Sequence, residues 1–179
     1  MMKNMMAAAA LLLLAVPTGA AAQEGVKFDC AVAQVSTEQK ASIGAVMAGG
    51  GDEAGREQLF EALATITEGC ATQHAMTDVQ KRDYFDYSLA RIAREWLTGD
   101  IARLKLSTDT VDKALDFGPA GANPDLSGDM NEDQIMTIVQ AYIDSGVDIE
   151  TVDTEVWEKV GAYAAATSIY WNKRKQLPF

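Results

Sequence analysis

TDVQKRDYFDYSLARIAREWLTG, residues Thr77 to Gly99, decides the fold class of this chain. Thr77 can cap a first helical turn, Gln80 three residues on completes a capping box, and Gly99 offers a left-handed stop. At about 100° per residue, Phe85, Leu89, Ile92, Ala93 and Trp96 share one face, with Val79 and Leu97 at its edge. Tyr84, Tyr87, Arg91 and Arg94 fall on the other. Rings on two sides of one helix predict a central element sandwiched by neighbours, and so an all-α protein.

Upstream, Asp52 opens a helix on which Leu59, Leu63, Ile66 and Cys70 lie along one side, with Phe60 beside them. Gly49-Gly50-Gly51 marks a turn before it. A phosphate-binding loop would need a G-K-[ST] ending and a preceding strand, and has neither. Ser36 with Gln39 is a second capping box, opening a helix to about Met47 with Ile43, Val46 and Met47 inward. Residues 23 to 35 read as an arm or a short helical turn pinned by Cys30. CAVAQVSTEQK from Cys30 and CATQHAMTDVQK from Cys70 are alike, which fits either a duplicated hairpin or two similarly capped helix starts.

Downstream, residues 100 to 106 suggest a helical turn, and Ser107 or Thr108 caps a helix holding Val111, Ala114 and Leu115. GPAGANPDLSGDM, residues 118 to 130, has loop composition. Its length inside a compact domain makes it a candidate site. Asn131 with Gln134 caps the next helix, whose Ile135, Ile138, Val139, Tyr142 and Ile143 predict a buried stripe ending at Gly146. The last helix runs from about Thr154 to Lys175, with Val156, Val160, Ala164, Thr167 and Trp171 on one face and small residues Gly161, Ala165 and Ser168 beside it. No strand pattern is found. The prediction is a single-domain bundle of five or six helices with one disulfide.

Residues 1 to 22 read as a signal peptide: Lys3, an apolar run from Ala7 to Val16, a Pro17/Gly19 break, and Ala20-Ala21-Ala22 before Gln23. Ten apolar residues span only about half of a hydrocarbon core, and no later stretch reaches the roughly 18 of a spanning helix. The expectation is a soluble periplasmic or secreted chain of residues 23 to 179, without a membrane span. An oxidising destination makes the two cysteines, Cys30 and Cys70, a structural disulfide. The net charge of −11 disfavours nucleic acid as a partner.

Chemistry is sparse. His74 is the lone histidine, too few for a zinc site with an oxidised Cys70, and no G-x-S-x-G accompanies it. Asp125, Ser127, Asp129, Asn131 and Asp133 alternate as calcium ligands would. However, the turn glycine is misplaced and Met136 stands where a bidentate glutamate belongs. Neither metal nor cofactor is predicted. Tyr84, Tyr87, Arg91 and Arg94 remain as a face for an unknown protein partner or small ligand, since Tyr and Arg anchor interfaces. The competing reading makes them a second core face, with the arginines pairing to Asp83 and Glu95. Functionally this describes a non-catalytic binding module. The alternative is a carboxylate hydrolase of envelope polymers, for which 26 acids supply many possible pairs.

Overall fold

The computed structural model describes residues 28–126, 128 and 130–177. The leader reading at residues 1 to 22 lies outside them. Seven α-helices and one 3-10 turn make up the regular structure, with no strand among the described residues. They are α1 (28–34), α2 (Thr37–Met47), α3 (Glu53–Gln73), α4 (Asp78–Arg103), α5 (Thr108–Ala114), α6 (Glu132–Asp144) and α7 (Thr154–Gln176), with the 3-10 turn at Ile149–Thr151. The predicted five or six helices become seven because the arm around Cys30 is itself helical.

α4 is central: it lies along α7 and also packs against α2, α3 and α5. Its start follows from sequence, with Thr77 Oγ1 accepting from the Gln80 N–H and Gln80 Oε1 accepting from the Thr77 N–H at 2.8 Å. Its end does not. Gly99 sits inside the helix, which continues to Arg103 and stops where Lys105 takes a left-handed φ of 64°. Continuing one more turn buries Ile101 completely beside Leu97, and that burial outweighs the roughly 1 kcal/mol by which glycine disfavours a helix interior. The capping boxes at Ser36/Gln39 and Asn131/Gln134 both form as predicted.

Three apolar clusters share α4. Leu97, Ile101, Val111, Tyr142, Val160 and Tyr163 fill one end, and Phe28, Cys70, Tyr84, Tyr87 and Leu177 the other. Val32, Ile43, Leu63 and Ile92 lie under α2 and α3. Gly44 sets how closely α2 approaches α4, since a Cβ there would fall 2.3 Å from the Trp96 ring. Cys30 and Cys70 are disulfide-bonded, tying α1 to the end of α3. No helix among the described residues is long and apolar enough to cross a membrane.

α6 departs from prediction in a way that matters below. Only Ile138 and Tyr142 of its apolar stripe are buried, whereas Ile135 and Ile143 are 45% and 42% exposed and neighbouring Met136 is 56% exposed. α6 touches the bundle mainly through α5 and the 3-10 turn, so the fold covers only one edge of its apolar arc.

Candidate functional site

The four residues predicted as a binding face are occupied by the protein itself. Tyr84 and Tyr87 are completely buried. The Tyr84 hydroxyl accepts from the Ala31 N–H of α1 at 3.1 Å, and Tyr87 stacks on Tyr170 of α7 with ring centroids 5.3 Å apart. Arg91 donates to Asp29 at 2.6 Å, Glu95 at 2.9 Å and the Tyr87 hydroxyl at 3.4 Å. Arg94 bonds Asp112 at 3.0 Å and Thr167 at 3.2 Å while lying over the Tyr163 and Tyr170 rings. Asp83, the partner expected for an arginine, takes Lys173 at 2.7 Å instead. This face is the seat of α1 and α7. The sequence signal that a helix with rings on two sides is central already pointed there.

Burial has a measurable consequence for these rings. It pushes the Tyr87 phenol up to about 12 against the opposing charge of Arg91, and the Tyr142 phenol up to about 12 with Tyr163 and Asp112 adding to it. A raised acid favours the folded state while protonated, fully so below the free phenol value of about 10, and that contribution disappears as pH climbs through about 12. In an alkaline titration, phenolate absorbance from these two residues is expected to lag the ordinary phenol range and to rise together with loss of the helical circular dichroism. Ionisation of all tyrosines near pH 10 with helicity intact would contradict their burial.

Within the loop at 118 to 130, the described residues bond to one another and to α7. Asn123, with φ 49° and nearly buried, accepts from the Gly118 N–H at 2.9 Å and donates to the Gly118 and Gly121 carbonyls. Ser168 Oγ of α7 accepts from the Leu126 N–H at 2.9 Å and donates to the Pro124 carbonyl at 2.8 Å. Two of the alternating oxygen residues, Ser127 and Asp129, lie outside the described residues. His74 is the C-cap of α3 and is half-buried. No cluster of three or more His, Cys, Asp or Glu side chains able to hold a metal ion occurs among the described residues.

The structure instead presents an apolar groove of about 330 Å³ that the sequence pattern did not single out. α6 supplies Ile135, Ile138 and Val139; α7 supplies Trp157, Val160 and Gly161; Met130 and Ile149 complete the lining. No ionisable side chain lines it. Gly161 forms part of its floor, and a Cβ there would meet only the Met130 methyl at 3.6 Å, an ordinary contact. Neither packing nor backbone therefore requires glycine. It costs this helix interior about 0.5–1 kcal/mol relative to alanine, and what it provides is room.

No protein-family model, curated protein or solved structure matches this chain. What the groove can do follows from its own surfaces. Its size is at the lower end for ligand cavities, and its lining offers dispersion and desolvation without groups for acid–base or nucleophilic chemistry. A second hollow between α2, α4 and α7 is lined by two carboxylates, Asp86 and Asp125, together with Lys173, which is joined to Asp86 at 3.0 Å and also holds Asp83.

Proposed function

We propose that this chain is a non-catalytic binding module of the periplasm or extracellular space, and that it holds its ligand through apolar contacts in the groove between α6 and α7. The observation that carries the reading is the open, wholly apolar lining beside three well-exposed aliphatic side chains of α6. Contiguous exposed apolar surface of this kind marks binding sites in proteins that otherwise bury such residues. The disulfide and the leader-like first 22 residues support an oxidising destination. The hydrolase alternative draws no support from this lining, which has no carboxylate to offer.

The neutral apolar dye Nile red is a direct probe of the groove. Gly161→Leu places a side chain in the empty floor, and the expected result is a loss of dye affinity of about tenfold or more with the thermal midpoint kept or raised. Unchanged dye binding by a folded Gly161→Leu protein would remove the groove from consideration. For export, the N-terminus of the protein recovered outside the cytoplasm is expected to be Gln23. An intact Met1 on a protein retained in the cytoplasm would overturn that part.

A further inference from the structure

We infer that the occupant of this groove is a cationic amphipathic helix of a partner polypeptide, an inference that rests on the groove being the binding site. Two independent features converge on it. The first is shape. Around α6, Ile135, Val139, Ile143 and Met136 fall within an arc of about 100°, directly beside the buried Ile138 and Tyr142. The arc and the groove together follow a helix of 13 residues, about 20 Å long, which is the scale on which one helix lies along another.

The second feature is charge. No Lys or Arg occurs between Lys113 and Lys159, and eight exposed carboxylates stand between Glu132 and Glu158. None of the eight has an ion-pair partner among the described residues. Lys159, the nearest cation in sequence, is 2.7 Å from Asp100. Asp148 and Glu150 flank the groove residue Ile149, and Glu158 follows Trp157. An apolar channel set in an uncompensated negative field is complementary to an apolar stripe bordered by lysine or arginine.

Other occupants fit less well. A second copy would bring the same acidic surface against this one. In its basic cluster Lys173 holds Asp83 and Asp86 and Arg174 lies over the Phe28 ring at 4.4 Å, which leaves the exposed Lys175 to meet eight carboxylates. A lipid surface attracts helices with cationic borders, and no Lys or Arg lies between Lys113 and Lys159 to supply one.

The test uses the purified protein, Nile red, and two synthetic peptides of about eighteen residues, one of leucine and lysine at helical spacing and one with glutamate replacing every lysine. The lysine peptide is expected to bind one-to-one, to displace the dye, and to weaken about tenfold or more between low salt and about 0.5 M salt. The glutamate peptide should bind at least about tenfold more weakly. Gly161→Leu should weaken the lysine peptide to a similar degree. Ile135→Lys, at a half-exposed position, tests the same point should the leucine fail to fold.

Equal binding of both peptides would overturn the charge argument, and lysine-peptide binding indifferent to both variants would reduce it to adsorption on an acidic surface. Dye binding with neither peptide bound would overturn this inference while leaving the groove as a site. If neither dye nor peptide bound, both readings would fall. A dimer in sedimentation that Gly161→Leu dissolves would replace the partner helix with a second copy.

Discussion

Replacing Cys30 and Cys70 together with alanine lowers the thermal midpoint by roughly 8–16 °C, the largest effect expected from any small change to this protein. The bond joins residues 40 apart in sequence. Closing a loop of that length removes unfolded-chain entropy worth about 4 kcal/mol, and each kcal/mol moves the midpoint of a domain this size by about 2–4 °C. The local consequence is equally specific. The described part of α1, residues 28–34, is two turns of helix, a length that needs anchoring to persist in water. Its other ties include the Ala31 N–H to Tyr84, the Asp29 pair with Arg91, the packing of Phe28 on Tyr87 and of Val32 against Ile43 and Leu63, and Arg174 over the Phe28 ring. Without the bond, hydrogen exchange at 28–34 should accelerate more than in the centre of α4. Calorimetry and exchange of the double alanine variant check both statements. A midpoint within about 3 °C of the parent, with α1 still protected, would mean that packing alone holds the arm.

Arg94→Met costs about 2–3 kcal/mol, the second large effect. The guanidinium joins three helices: it bonds Asp112 of α5 and Thr167 of α7 from its position on α4, and lies 5.5 Å from the centroids of both Tyr163 and Tyr170. The Tyr163 hydroxyl donates to the other Asp112 oxygen at 2.9 Å. Methionine fills similar volume but leaves Asp112 with one neutral donor for a mostly covered charge. The figure is set below that of a fully buried pair because the two side chains retain 26% and 21% exposure. Arg94→Met with Asp112→Leu removes the stranded charge as well and should recover part of the loss. Denaturant unfolding of the four proteins in this cycle measures the coupling. Strict additivity would show that the pair contributes little and that stacking on the tyrosines carries the effect.

Charge also shapes the acid limit of the fold. Burial works to raise the Asp100 carboxyl, but its bonds to Lys159 and Arg103 and their positive charges outweigh burial and hold it below the usual carboxylate range. A depressed carboxylate contributes above its unfolded value, near 4, and that contribution is lost as pH falls through the folded one. The acid side therefore weakens the contact between α4 and α7 that Lys159 makes through Asp100.

The all-α class, the cysteine pairing and the starts of six helices, α2 to α7, were legible in the chain because each depends on nearby residues. A cap is a bond across three positions, as at Ser36/Gln39, Thr77/Gln80 and Asn131/Gln134, and hydrophobic period needs only a few turns to show. With two cysteines there is one possible pairing. Periodicity could not tell how much of each apolar face a neighbour would cover. Periodicity left Tyr87 and Arg91 open between a core face and a docking face, and α1 and α7 packed against them decide for the core. Ile135 and Ile143 carried the same pattern as Ile138 and Tyr142, yet the bundle covers only the latter pair. Gly99 had the composition of a stop, but Ile101 two residues later had a core to enter. Sequence by itself determined which segments coil and which sulfurs can meet, since those are local or combinatorial matters. Tertiary structure alone decided which apolar stripes were left in water, because burial is settled by how many helices converge on a face, and α6 has too few neighbours to hide its own.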